Sequence, residues 1–138
     1  MVLPFDYKLN ESEARSKIES IVKEIKDDSV IITDKDGIVS VVGASKKEYL
    51  EKKISDSLED NINQRKIYSM DDSDKALPMY EDEDVSELKA QIIAPIIAEG
   101  DVIGSVIIAS KDESSKFGEV EKKIAETAAA FLGKQMEQ

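Results

Sequence analysis

The stretch LKAQIIAPIIAEGDVIGSVIIA, residues 88–109, decides the fold. It contains two runs rich in Ile and Val, residues 88–98 and 102–109, which are joined by Glu99, Gly100 and Asp101. Branched side chains favour strands, and a short connection that contains Gly favours a hairpin. The pattern therefore predicts two long, central, antiparallel strands.

Two residues mark irregular points in these strands. Pro95 has no backbone N–H, so we expect it at a bulge or opposite a gap in the strand pairing. Gly104 has no side chain, so we expect it at a bend or where another backbone segment approaches closely.

A first hairpin is predicted upstream. Two shorter apolar runs, residues 29–33 and 38–42, flank the sequence DKDG at 34–37, and the Asp-Gly pair favours a tight turn. A calcium loop of the EF-hand type is not favoured, because the third side-chain ligand and the distal Glu are missing. We therefore interpret residues 34–37 as a turn.

Two short helices are predicted after this hairpin. Ser45 and Glu48 have the spacing of a capping box, which predicts that a helix begins there. Residues 55–65 place Leu58 and Ile62 one turn apart, which predicts a second helix. We expect both helices to cover one face of the sheet.

Longer amphipathic helices are predicted near both ends, at residues 11–27 and 119–136. The stripe on the second of these helices is wider than one sheet face needs, and its alanines allow close approach. We expect the two helices to pack together and to pair with their copies in a homodimer. The residues predicted at this interface are Ile18, Ile21, Val22, Ile25, Ala128, Phe131 and Leu132.

The segment 71–87 carries eight acids against one base, a charge of −7. Such a block repels itself, so we expect a solvated, mobile loop with at most one edge strand. Paired carboxylates can bind metals or hydrolyse glycosides, but only when they are held against a shaped pocket. The solvated loop is therefore favoured.

The order of elements predicts an α+β fold. An antiparallel sheet has the N- and C-terminal helices packed together on one side and the short helices on the other. GAF, PAS and profilin-like domains share this arrangement, and the periodicity does not separate them. None of these folds determines a function.

Composition excludes several classes of function. The 138 residues contain no Cys and no His, which excludes a thiolate nucleophile, an imidazole base and the common zinc and haem ligands. No cofactor or metal is expected.

Residues at the N-terminus lack the order of a signal peptide, and no apolar run reaches the roughly 20 residues that span a bilayer. A cytoplasmic protein without membrane contact is predicted.

Specific motifs carry a family resemblance. They include GASKKEYL at 43–50, GDVIG at 100–104, GEVE at 118–121 and ETAAAFLGKQMEQ at 126–138. Together they resemble the C-terminal GAF-like domain of the stage V sporulation protein T family, from about residue 14 to the last residue. The resemblance divides the chain into an extension or linker at 1–13 and a GAF-like regulatory domain at 14–138. Residues 1–13 and the acidic segment depart from the family pattern.

The resemblance implies a regulatory and dimerisation domain of a sporulation transcription factor, whose DNA-binding domain of the AbrB type is a separate N-terminal unit. It implies no catalysis. The enzyme alternative, a methionine sulfoxide reductase of this fold, uses cysteines that this chain lacks. Two interpretations remain open: a domain that senses a small molecule, and a structural dimerisation module whose pocket is filled.

A sensing site is predicted where the first hairpin meets the helices of residues 45–65. The helix that begins at Ser45 offers unpaired N–H groups, and Lys46, Lys47 and Arg65 could add positive charge. A small anionic metabolite is the expected ligand. Helix capping by Ser45 and solvation of the lysines explain the same residues without any ligand.

We predict that this chain alone does not bind DNA. Its net charge is −11, which repels the phosphate backbone. An electrophoretic mobility assay with a sporulation promoter fragment at physiological salt should show no shifted band. Specific nanomolar binding would contradict the prediction, and would mean that basic residues such as Lys52 and Lys53 converge into a patch.

Overall fold

The computed structural model describes residues 28–70, 75–113 and 117–137. The predicted helix at 11–27, and its packing against other elements, lie outside these residues. The described residues form β1 (Ser29–Asp34), β2 (Ile38–Val42), α1 (Lys46–Tyr49), α2 (Asp56–Asn63), β3 (Tyr68–Ser69), β4 (Ala90–Ala98), β5 (Asp101–Ser110) and α3 (Glu119–Gln135). Both predicted hairpins are confirmed.

The strands form one antiparallel sheet in the order β2-β1-β5-β4-β3. β5 is therefore central, and β4 lies beside it as predicted. Pro95 lies opposite a gap: β3 pairs only with Ile92 and Ile93 of β4 and does not reach Pro95. Gly104 lies at a close approach, since a Cβ there would come within 2.0 Å of the Thr33 carbonyl oxygen.

Two apolar clusters cover the two faces of the sheet. Alternate residues of β5 point to opposite faces, so Ile108 joins the cluster under α3 and Ile107 joins the cluster under α1 and α2. Each fully buried Ile contributes about 1.5–3 kcal/mol relative to an exposed one. Among the described elements, the long helix thus lies on one side and the short helices on the other, as predicted.

α3 lies very close to β4. A Cβ on Gly133 would come within 2.3 Å of the Ile97 carbonyl oxygen, so only glycine permits this contact. Ala125, Ala128 and Ala129 are buried on the same side of the helix. Val120, in the first turn of α3, is 67% exposed, so the buried side of the helix begins after this residue.

The acidic segment differs from the prediction. The edge strand β3 precedes it at Tyr68–Ser69, and none of the described residues 75–87 lies in a strand. Several of its charged side chains are exposed, as expected for a solvated loop, but Ala76, Met79 and Glu83 are buried. The prediction is therefore wrong for this part of the segment, because neighbouring elements supply contacts that its composition does not reveal.

Candidate functional site

Ser45 caps the first short helix. Its Oγ accepts a hydrogen bond of 3.2 Å from the Glu48 N–H, as the capping-box spacing predicted. Lys46 and Lys47 are exposed on α1, which has only four residues. The cap and solvation account for these three residues, and their role in ligand binding stays a prediction.

Arg65 lies in a different place. It follows α2 with a φ of 62° and lines a hollow of about 520 Å³ together with Lys35, Glu99 and Asp101. Ser45, Lys46 and Lys47 do not line this hollow. The two acids offset the two bases, so the hollow has no excess positive charge to attract an anion.

The space between the sheet and the short helices is filled. Ile38, Leu58 and Ile62 pack there against Ile93 and Ile107 of the central strands, and all five are at most 1% exposed. Interiors packed to this extent leave little room for a ligand. In the part of the chain that the structure describes, side chains of the protein itself therefore fill the cleft predicted between the sheet and the short helices.

A buried carboxylate marks a different site. Glu83, in the acidic segment, is 8% exposed. Its Oε2 accepts a hydrogen bond of 2.5 Å from the Tyr49 hydroxyl, and its Oε1 accepts one of 2.6 Å from the Met79 N–H. Because Tyr49 is the last residue of α1, these bonds tie the acidic segment to that helix.

Two further contacts fix the same segment. The Gln91 side chain in β4 accepts from the Leu77 N–H at 2.8 Å and donates to the Leu77 carbonyl at 2.9 Å. The Ser55 hydroxyl at the start of α2 donates to the Pro78 carbonyl at 2.6 Å. Residues 75–88 are therefore held by side chains from three separate elements, one on α1, one at α2 and one in β4.

Aromatic contacts surround the Glu83 site. The rings of Tyr49 and Tyr80 meet edge to face with centroids 5.5 Å apart, and the Tyr80 hydroxyl donates to Glu48 at 2.8 Å. The Lys52 ammonium lies 4.0 Å from the centroid of the Tyr80 ring, a cation–π contact. These contacts orient both tyrosines.

Burial has the largest effect on the pKa values of Glu83 and Tyr80. It raises the pKa of Glu83 above its ordinary value, although the hydrogen bonds from Tyr49 and Met79 lower it. The charge of Glu48 also raises this pKa, and that of Lys111 lowers it. Burial, with the hydrogen bond to Glu48, raises the pKa of Tyr80 to about 12. Glu83 therefore ionises less readily than an exposed Glu.

A hollow of about 510 Å³ opens beside Glu83. The described residues that line it combine apolar side chains with two acids, one base and a serine: Met70, Lys75, Ala76, Glu83, Asp84, Val85, Ser86 and Leu88. Asp84 accepts from the Ser86 N–H at 3.0 Å, which shapes the rim. No group of metal-binding side chains occurs among the described residues.

Sequence reasoning missed this site because the acids of residues 71–87 suggested uniform solvation. The available signal was the apolar sequence ALPM at 76–79, together with Val85 and Leu88 on the other side of Glu83. Apolar residues on both sides of one acid indicate that the segment folds back onto the core. The partners of that acid could not be identified from the sequence.

The residues predicted at the dimer interface have mixed positions. Ala128 and Leu132 are 1% and 4% exposed and pack against the sheet of their own chain, so they leave little area for a second copy. Phe131 is partly buried beside the same cluster. Ile18, Ile21, Val22 and Ile25 lie outside the described residues.

Solved structures share this architecture. The GAF domain from a phosphoenolpyruvate-protein phosphotransferase of Coxiella burnetii matches with a TM-score of 0.72 at 14% identity, over 91% of this chain and 81% of that chain. A type II free methionine-R-sulfoxide reductase from Thermoplasma acidophilum matches with a TM-score of 0.65 at 17% identity, over 95% of both chains. Identities this low show the fold alone. The chain therefore has a GAF-like fold, which the periodicity had left open.

Sequence comparison shows the family. Residues 11–137 match the family described as "Stage V sporulation protein T C-terminal, transcription factor". Stage V sporulation protein T of Bacillus subtilis (strain 168) is 46% identical over 110 residues, which are 80% of this chain and 60% of that protein. The chain belongs to this family, so it is related to the C-terminal part of a transcription factor.

None of the helices within residues 28–70, 75–113 and 117–137 is both long enough and apolar enough to cross a bilayer.

Replacing Glu83 with Gln is expected to change how stability depends on pH. The pKa of Glu83 is raised above 4.5 in the folded protein, so its contribution to stability is fully present below about pH 4.5 and is lost as pH rises through the folded-state pKa. Gln does not ionise, so the variant should gain stability relative to the wild type as the pH rises. Urea unfolding at pH 4.5 and 7 measures this difference.

Two other variants serve as controls. Tyr49→Phe removes one donor from the buried carboxylate and should cost about 1.5–3 kcal/mol at pH 7. Asp82→Asn removes an exposed charge from the same segment. An equal gain with pH in Asp82→Asn would contradict the special role of Glu83.

Proposed function

We propose that this chain senses a small molecule and dimerises as the regulatory domain of a sporulation transcription factor. The chain spans about 60% of the length of the Bacillus subtilis relative. In this proposal, DNA binding belongs to a separate N-terminal domain, as the family resemblance implies. Ligand binding in the regulatory domain would then change how the DNA-binding domains of two subunits are held.

The hollow beside Glu83 carries the sensing proposal. Its volume of about 510 Å³ falls within the roughly 300–1,000 Å³ that is usual for small-molecule sites. A buried titratable group in the wall of a hollow is a frequent feature of functional sites. This hollow supports sensing better than the one beside Arg65, where acids and bases offset each other.

The structural alternative also has a supporting observation. The space between the sheet and the helices α1 and α2 is filled by apolar side chains. A domain that served only to dimerise would need no more than this core. The hollow beside Glu83 would then be a surface depression without a ligand.

Dimerisation is proposed to use α3 together with the predicted helix at 11–27. Because Ala128 and Leu132 are buried against their own sheet, Phe131, which is only partly buried, is the described member of the predicted interface with side-chain area left to contribute. The predicted stripe formed by Ile18, Ile21, Val22 and Ile25 supplies further apolar area.

Phe131→Glu is expected to convert a homodimer into monomer or unfolded protein, because an unpaired charge in an apolar interface is costly. Val120→Glu is the matched control, since Val120 is 67% exposed on the same helix. Sedimentation at tens of micromolar should show a dimer for the wild type and for Val120→Glu. A monomeric wild type would contradict dimerisation by this chain.

A thermal-shift screen of nucleotides, amino acids, carboxylates and amines tests the sensing function. A ligand at a hundredfold excess over Kd stabilises the folded domain by about 2.7 kcal/mol, which raises Tm by several degrees. Ser86→Trp places a large ring in the hollow and should remove the shift. Glu87→Trp, next to it but not in the lining, should keep it. If no compound shifts Tm, the structural alternative is correct.

A further inference from the structure

We propose that the hollow beside Glu83 binds a small organic cation, an amine that carries a short apolar chain. The inference rests on the proposed sensing function and names the ligand class for the same site. It follows from three features of the hollow: a buried carboxylate without a paired cation, an excess of negative charge, and apolar walls.

The carboxylate of Glu83 lacks a charged partner. Both of its hydrogen bonds come from uncharged donors, the Tyr49 hydroxyl and the Met79 N–H. Among the described residues no ion pair joins it to a basic side chain, and Lys111, whose charge acts on it, is exposed. Burial of an unpaired charge costs free energy, which a bound cation would recover.

Glu83 retains capacity to accept further hydrogen bonds. A carboxylate offers about four lone-pair sites, and only two are used by the donors in the structure. An ammonium group carries up to three N–H donors, so it can bind an unused site without displacing Tyr49 or Met79. Bonds between charged groups are roughly twice as strong as neutral ones.

The lining selects against anions. Among the described lining residues, the acids Glu83 and Asp84 outnumber the base Lys75, an excess of one negative charge. The described acids Glu81, Asp82 and Glu87, exposed on the same segment, add to the negative potential near the hollow. An anionic metabolite would therefore be repelled.

The apolar part of the wall favours an organic cation over a metal ion. Met70, Ala76, Val85 and Leu88 offer hydrocarbon surface, and the unbranched Met side chain adapts to different shapes. The described residues supply no group of metal-binding side chains. A hydrocarbon chain attached to the amine would bury apolar surface here.

The test is an NMR titration of the full chain with pentylamine, with pentanol and pentanoate as neutral and anionic comparators of similar length. Pentylamine should cause saturable amide shifts centred on residues 75–88. Glu83→Gln should raise its Kd at least about tenfold, the loss expected for a hydrogen bond to a charged group. Asp82→Asn removes one exposed charge from the same segment and should leave the Kd within about twofold.

The inference is overturned if pentylamine causes no shifts there, if Glu83→Gln binds it as well as the wild type, or if pentanol or pentanoate binds equally. If Glu83→Gln does not fold, Tyr49→Phe replaces it. This variant frees one lone-pair site on the Glu83 carboxylate, so it should bind pentylamine at least as tightly as the wild type. Weaker binding would overturn the inference. A compound of another class that shifts Tm would leave sensing intact while refuting the amine.

Discussion

The central strand β5 is the constraint on which the rest of the structure depends. It pairs with β1 on one side and β4 on the other, and its side chains are buried on both faces of the sheet. The buried Ser105 hydroxyl of β5 and the Thr33 hydroxyl of β1 form a hydrogen bond of 2.7 Å, so neither group is left unsatisfied. Because both faces of β5 must be covered, the long helix occupies one face and the short helices the other.

The hollow beside Glu83 lies at the rim of this sheet, between Met70 after β3 and Leu88 before β4. The acidic segment reaches that rim after β3, and it is held there by Glu83, Gln91 and Ser55. These contacts overcome the repulsion among its acids because most of the charged side chains stay in water, where the effective dielectric is high. Among the described charged residues of the segment, only Glu83 is buried, and its burial beside a hollow makes it a candidate site.

Local features were predictable from the sequence. The hairpins, the Ser45 cap and the last helix depend on residues within a few positions of each other. Pro95 and Gly104 were also predictable, because a residue without an N–H or without a side chain fits only certain places in a sheet. The Glu83 site was not predictable, because its partner Tyr49 lies 34 residues away and the contact exists only once the sheet has formed. Distance along the chain also did not show that Arg65 lines a hollow with Lys35, Glu99 and Asp101, apart from Ser45, Lys46 and Lys47.

Amide hydrogen exchange at Met79 and Leu77 tests most directly the central claim, that the acidic segment is an ordered element anchored by side chains of neighbouring elements. Both N–H groups donate to buried side-chain acceptors, Glu83 and Gln91, so both should exchange far more slowly than in an unstructured chain. Glu83→Ala should accelerate exchange at Met79 more than at Leu77. Exchange of both amides at the unstructured rate in the wild type would contradict the account.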